Sequence, residues 1–106
     1  RRREVVAVEA IVAEEVDRHV RDSSARAVAP LVADLRARAE DIRRAELERY
    51  ASRLGDLDDR QAAAVEGLTR ALLAKLLHDP TVKLKATAGT PEGDRLARAL
   101  RTLHDL

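Results

Sequence analysis

The sequence contains no cysteine, methionine, tryptophan or phenylalanine, and Tyr50 is its only aromatic residue. Without cysteine the chain can form no disulfide framework, no thiolate nucleophile and no cysteine-ligated zinc or iron–sulfur centre. A β-sheet core would need more β-branched and aromatic side chains than this sequence has. Alanine, leucine, arginine and glutamate dominate instead, and these residues lose little side-chain entropy in a helix. The composition therefore predicts an all-α protein.

Catalytic fingerprints are also missing from the sequence. There is no glycine-rich phosphate-binding loop, no HExxH and no GxSxG, and the four glycines are scattered. Glu15 and His19 stand four residues apart and could reach one metal ion, but such pairs are common by chance. His78 and Asp79 are better explained by a helix end beside Pro80 than as an acid–base pair. We therefore expect no catalytic, cofactor-binding or metal-binding residue in this chain.

Charges of the two signs are nearly balanced and mixed along the sequence. Twenty basic and 19 acidic residues give a formal net charge of +1, which is typical of a solvated surface. No apolar run is long enough to span a membrane, and the acidic residues after Arg1 are unlike a signal peptide. We expect a cytoplasmic protein that does not bind membranes. Because Arg1 is not an initiator methionine, we interpret the chain as a segment of a longer protein.

Apolar periodicity predicts four to five helices, of which the first is long. Polar residues at 22–24 end the first helix, Gly55 suits a left-handed cap, and Pro80 disfavours continuation of the third helix. The acidic residues at 56–59 supply capping carboxylates for the third helix, and residues 90–92 mark the start of the last one. Gly89 would close a short piece before the last helix. The predicted helices cover about 4–24, 30–54, 59–77, 80–87 and 91–105.

The second and third predicted helices carry the candidate core and interface positions. In the second, the stripe shifts after Ile42 to a different side of the helix, which two partners at different heights would explain. The third has the widest apolar face in the chain. A chain of this length buries only about two-thirds of its unfolded surface, so a spare face is expected to seek a partner. The candidates are Leu35, Ile42, Leu47, Tyr50, Leu68, Leu72, Leu73, Leu76 and Leu77.

Two other functions use the same helices. The second helix carries six arginines, and a helical scaffold could dock tRNA through them, because guanidinium groups match phosphate geometry. Interleaved acidic residues and the lack of a base-stacking aromatic surface argue against this hypothesis. The apolar faces could also bind a different protein, as in an adaptor bundle. The arginines are Arg36, Arg38, Arg43, Arg44, Arg49 and Arg53.

Two stretches go beyond generic helix: LRARAEDIRRAELER at 35–49 and LTRALLAKLLHDPTVKLK at 68–85. Together they resemble the C-terminal dimerisation domain of glutamyl-tRNA reductase, and KLLHDP at 75–80 is the most specific part. The resemblance covers nearly the whole chain. It implies that residues 1–24 are the end of that family's long connecting helix and that 25–106 are the helical dimerisation domain.

The resemblance also implies the function of a parent enzyme. Members of the family reduce glutamyl-tRNA to glutamate-1-semialdehyde with NADPH, at the start of a route to haem and other tetrapyrroles. Their cysteine nucleophile and NADPH site lie in upstream domains, so none of that chemistry is expected here. Their C-terminal helices pair two subunits in a V-shaped homodimer, which implies an intersubunit helical bundle for this chain. The V is thought to hold the tRNA, but we do not expect this segment to carry that contact.

Overall fold

The computed structural model describes residues 28–106, and all regular secondary structure in that range is helical. Helix α1 covers residues 28–49, α2 is the short Ala51–Leu54, α3 is Asp59–Thr87 and α4 is Pro91–His104. The prediction of an all-α protein is confirmed. The helix predicted over about 4–24 and the break at 22–24 lie outside the described residues.

The second predicted helix is divided in the structure. We expected one helix from about 30 to 54, but Val28 is already helical and Tyr50 interrupts the run as a turn residue. The amide of Leu54 still donates to the Tyr50 carbonyl at 3.0 Å, so the helical hydrogen bonding resumes at once. The left-handed cap expected at Gly55 is wrong, since its φ of −65° and ψ of −23° are right-handed.

Helix α3 begins with a capping box. The Asp58 carboxylate accepts from the Gln61 amide at 2.8 Å, and the Gln61 side chain accepts from the Asp58 amide at 3.1 Å. These bonds satisfy two groups that a helix start leaves without partners. The expectation that the acidic residues at 56–59 cap this helix is confirmed at Asp58.

The predicted end of α3 at Pro80 is wrong, because the helix continues to Thr87. A proline inside a helix removes one backbone hydrogen bond and costs about 3 kcal/mol, so packing must offset it. Pro80 is half-buried, and Thr81 and Leu84 in the next turn are buried. The Thr81 hydroxyl also donates to the Leu77 carbonyl at 2.6 Å. The separate piece predicted over 80–87 is thus the last part of α3.

Helices α1 and α3 form an antiparallel hairpin. The start of α1 meets the end of α3, where Val28 and Leu84 share one buried cluster. Toward the other end, the Arg43 guanidinium on α1 donates to the Thr69 hydroxyl on α3 at 3.4 Å. Helix α4 packs against only the first of these two regions. The buried core there is Val28, Leu31, Val32 and Leu84, with Ala88, Leu96, Ala97, Leu100 and Leu106 packed against it.

The turn between α3 and α4 holds the two helices in close contact. Gly89 has a φ of 82°, as expected for its position after a helix. The Thr90 hydroxyl accepts from the Gly93 amide at 3.0 Å and donates to the Thr87 carbonyl at 2.6 Å. A Cβ added to the buried Gly93 would lie 2.0 Å from the Thr87 carbonyl oxygen. Glycine is therefore required at this position for α4 to reach the end of α3.

A buried charge marks the middle of the hairpin. The Arg43 side chain is almost fully buried, and its Nε donates to Glu40 Oε2 at 2.8 Å. Arg44 donates to the same carboxylate at 3.2 Å. The hydrogen bond from Arg43, with the nearby positive charges, lowers the pKa of Glu40 to about 2. Because a buried guanidinium without a partner is destabilising, Glu40 is what allows Arg43 to lie against α3.

Replacing Gly93 with alanine should destabilise the fold. The new methyl group cannot fit against the Thr87 backbone, and such overpacking costs about 1–3 kcal/mol. Urea denaturation at fixed protein concentration measures the change. Gly67→Ala is the matched control, since nothing lies within 4 Å of its added Cβ and alanine is the better helix former by about 1 kcal/mol. Equal effects of the two substitutions would contradict the close contact at Gly93.

Replacing Glu40 with glutamine should remove a pH-dependent part of the stability. The folded-state pKa of Glu40 is about 2, below the ordinary 4.5, so its contribution is full above the ordinary value and is lost as pH falls toward 2. The urea midpoints of the parent chain and Glu40→Gln should differ most above pH 4.5 and converge toward pH 2. Glu48→Gln, the same change at an exposed position of α1, should show a smaller difference. A difference in urea midpoint between the parent chain and Glu40→Gln that does not vary with pH would count against the ion pair.

Candidate interaction surface

Counting only residues 28–106, the hairpin is two helices thick at the end away from α4. There the facing sides of α1 and α3 leave a groove of about 450 Å³. No element among residues 28–106 covers this groove. Its lining, which we name the tip segment, is Ile42, Arg43, Glu46, Leu47, Tyr50, Leu54, Val65, Thr69, Leu72, Leu73 and Leu76.

A second hollow of about 280 Å³ extends the groove toward α4. It shares Ile42, Leu73 and Leu76 with the tip segment, so the two hollows form one continuous depression. We name the second hollow the base segment and the two together the apolar groove. The base segment is lined by Leu35, Arg38, Ala39, Ile42, Leu73, Leu76, Leu77, Pro80, Leu100 and His104.

Large aliphatic side chains stay exposed along the groove. Ile42 is 52% exposed, Leu72 is 55% exposed and Leu76 is 70% exposed, while Leu68, one turn before Leu72, is 61% exposed. Single exposed leucines are ordinary on protein surfaces, but a contiguous apolar surface marks an interaction site. The four residues lie on neighbouring turns of two packed helices. This arrangement favours contact with another protein surface.

The nine candidate positions divide between core and groove. Leu35 is buried, whereas Leu47, Leu73 and Leu77 are half-buried and Tyr50 is 37% exposed. Eight of the nine line the apolar groove, and Leu68 lies beside it on the exposed face of α3. The structure thus brings the candidates together on one surface, and their contact with a second copy stays a prediction. The apolar stripe on α1 changes side after Ile42, which is where the base segment meets the tip segment.

Reasoning from the sequence missed two contributions to this surface. Leu100 and His104 from α4 close the base segment, and Pro80 lines it from within a continuous helix. The periodicity of the last helix places Leu100 on an apolar face, but only the tertiary fold shows what that face contacts. Reasoning from the sequence also missed the burial of Arg43. The available signal was that Arg43 stands three residues after Glu40, a spacing that allows an ion pair on one face of a helix.

Three of the six arginines in the second predicted helix are held in ion pairs. Arg43 and Arg44 bind Glu40, and Arg49 Nε donates to Glu46 at 3.0 Å. The guanidinium of Arg49 also lies 4.5 Å from the centre of the Tyr50 ring. Alternating charges of this kind do not form a continuous basic surface on α1.

The remaining candidate sites give little further support for chemistry. His78 and Asp79 lie exposed inside α3, and not at a helix end as we expected. Glu15 and His19 lie outside the described residues. Between residues 28 and 106 no three histidine, aspartate or glutamate side chains are grouped so that they could hold a metal ion. No helix in that part of the chain is long and apolar enough to cross a membrane.

Comparison with known proteins agrees with the geometry. Residues 7–106 match the family model described as glutamyl-tRNAGlu reductase, dimerisation domain. The chain is 50% identical over 103 residues to glutamyl-tRNA reductase from Frankia casuarinae and 46% identical over 103 residues to the one from Thermobifida fusca. The glutamyl-tRNA reductase from Geobacter sulfurreducens is 42% identical over 106 residues.

These alignments cover 97%, 97% and 100% of this chain, in that order, but only 22%, 22% and 24% of the three relatives. The chain therefore spans less than a quarter of the length of the relatives it matches. No solved structure matches it. An all-α hairpin with an exposed apolar groove and a family match over residues 7–106 lead to one conclusion: the chain belongs to the dimerisation-domain family of glutamyl-tRNA reductases.

Proposed function

We propose that this chain is the homodimerisation module of a glutamyl-tRNA reductase and that the apolar groove is the surface that a second copy covers. The observation that carries the proposal is the row of exposed aliphatic side chains at the tip of a hairpin that no third helix from residues 28–106 covers. A helix hairpin is stable when each apolar face packs against another element. A second copy supplies that element for both subunits at once.

Burial of the groove is the largest favourable term available to this surface. Fully burying an exposed leucine or isoleucine is worth about 1.5–3 kcal/mol, so the half-exposed Ile42, Leu72 and Leu76 each retain about 1 kcal/mol or more. Both subunits contribute the same residues. An exposed ion pair such as Glu46–Arg49 is worth only about 0–1 kcal/mol. Apolar burial therefore decides whether two copies associate.

The parent enzyme is proposed to act in tetrapyrrole biosynthesis in the cytoplasm, reducing glutamyl-tRNA to glutamate-1-semialdehyde with NADPH. This segment would contribute assembly and no catalytic group. Gly89 forms the turn before α4, and Gly93 makes room for the Thr87 backbone. We propose that the NADPH site lies elsewhere in the parent protein.

Docking of tRNA through the arginines of the second predicted helix is the weaker hypothesis. Glu40 and Glu46 on the same helix neutralise much of the positive charge, as the ion pairs show. The one aromatic ring, Tyr50, packs beside the guanidinium groups of Arg49 and Arg53. We propose that any contact with tRNA is made by other parts of the parent enzyme.

Replacing Leu72 with aspartate should separate the two copies of the proposed dimer. Light scattering after size exclusion should give about twice the chain mass for the parent chain and a much lower mass for the variant, because an unpaired carboxylate would be buried in the groove. Leu103→Asp is the matched control, since Leu103 is 80% exposed on α4 and lies outside the groove. The control should remain dimeric, and circular dichroism should show that both variants are helical.

A parent chain that runs as a monomer at micromolar concentration would reject the proposal. A hetero-protein adaptor would instead appear as a monomer that gains mass only with a different protein. If Leu72→Asp and Leu103→Asp have equal effects, the groove is not the interface.

The proposed dimer should not bind tRNA by itself. Filter binding of tRNA across a salt series should show no saturable binding by the dimer, since three of the six arginines are paired with acidic residues on the same helix and the charges of the two signs alternate. Phosphate contacts would instead give an affinity that falls steeply with salt. Tight binding at low salt that Arg36→Glu abolishes would overturn the prediction and favour the scaffold hypothesis.

A further inference from the structure

The α1 side of the apolar groove has a charge pattern that is complementary to itself. Arg38, Ile42 and Glu46 follow one another at intervals of four residues, and all three line the groove. One helical turn separates each charge from Ile42, which places them about 6 Å on either side of it along the helix axis. Ile42 also belongs to both segments of the groove. Arg38 and Glu46 therefore lie one turn before and one turn after Ile42 on α1.

Both charged groups can accept a further partner. Arg38 forms no ion pair with any residue in 28–106, although Asp34 stands four residues before it. Glu46 is bound by Arg49, but both hydrogen bonds from Arg49 reach Oε2. Glu46 Oε1 has no hydrogen-bond partner within the described range. Each groove thus offers one guanidinium and one carboxylate oxygen to a facing surface.

The α3 side of the groove does not favour either relative direction, parallel or antiparallel, of two facing copies. Its lining is entirely uncharged: Val65, Thr69, Leu72, Leu73, Leu76, Leu77 and Pro80. The exposed Leu68, Leu72 and Leu76 also repeat at intervals of four residues, so this row looks alike from both ends. The buried Arg43 is already bound to Glu40. The orientation of two facing grooves therefore depends on Arg38 and Glu46, together with His104 at the base segment.

Two arrangements with two-fold symmetry bring groove against groove. If the two α1 helices run parallel, the two-fold axis runs along the groove and each α1 faces the uncharged α3 lining of the other copy, so Arg38 and Glu46 gain no partner of opposite charge. If they run antiparallel, each Arg38 faces Glu46 of the other copy, and this pair forms twice. Burying a charged group against an apolar surface is unfavourable, and complementary charges fix the register of an interface.

We infer that two copies of this chain pack antiparallel across the apolar groove, around a two-fold axis close to Ile42, with Arg38 of each copy on Glu46 of the other. The inference rests on the proposed homodimerisation and adds its orientation. Burial of the aliphatic residues drives association, and the two charge pairs select the direction. The occupant of the groove is thereby a second copy of the same hairpin.

Cysteine cross-linking tests the orientation directly, because the chain has no cysteine of its own. Ile42→Cys, Arg38→Cys and Glu46→Cys are each treated with a short bismaleimide, alone and in mixtures of refolded subunits. Ile42→Cys should cross-link to itself. Arg38→Cys and Glu46→Cys should each remain largely uncross-linked alone, and an equimolar mixture should cross-link up to about half of its dimers, the share expected to contain one of each.

The outcomes separate the inference from the function on which it rests. Self-cross-linking by Arg38→Cys and by Glu46→Cys, with no gain on mixing, overturns the inference while homodimerisation stands. A dimer by light scattering in which Ile42→Cys does not cross-link overturns the inference as well. A chain that is monomeric by light scattering removes both the inference and the proposed function.

Charge reversal provides a second readout that needs no cross-linker. Arg38→Glu and Glu46→Arg should each raise the dimer Kd by roughly tenfold, since each places like charges together twice. The double variant should restore the Kd to near that of the parent chain, although its Glu46–Arg49 pair is lost. Arg36→Glu, on α1 but outside the groove, is the control and should leave the Kd unchanged. Two single reversals without effect would contradict the antiparallel contact.

Discussion

Within residues 28–106, the fold depends on the difference in length between one long apolar hairpin and the short helix that covers it. Helix α3 has 29 residues, whereas α4 has 14 and covers only the end of α3. Where α4 is present, Leu31 and Leu84 are buried in a three-helix core. Where α4 ends, the same two helices leave Leu72 and Leu76 in solvent. One chain thus contains a region that packs by itself and a region that needs another surface.

The two regions are joined without a break in α3, and Pro80 lies at the border. A proline would ordinarily end the helix, yet packing by α1 and α4 around it keeps the backbone helical. Because α3 is continuous through Pro80, one helix connects the core to the groove. Farther along the hairpin, the Arg43–Glu40 ion pair places a guanidinium against α3 beside Thr69. The core therefore fixes the relative positions of the two helices that line the groove.

Local patterns predicted the elements whose causes are local. Asp58 caps α3 and Thr90 caps α4, since their side chains bond to amides three residues away. The prediction was wrong at Pro80 and Gly55, where tertiary packing and the particular turn decide the backbone conformation. Periodicity identified the aliphatic residues of the groove, including Ile42 and Leu72. It could not separate core from exposed surface, because that division depends on where α4 ends in space.

Under the proposed homodimerisation, the same division lets this segment join two subunits through residues that are separate from its own core. Residues that bury the subunit core, such as Leu31, and residues that line the groove, such as Leu76, lie on different stretches of the same helices. In the proposed dimer, stability of the core belongs to each subunit, whereas order at the tip is coupled by mass action to the second copy. The tip of the hairpin, with Tyr50 between two arginines, is then the part most sensitive to subunit concentration. Assembly and folding are thus the same process only at the tip of the hairpin in the proposed dimer.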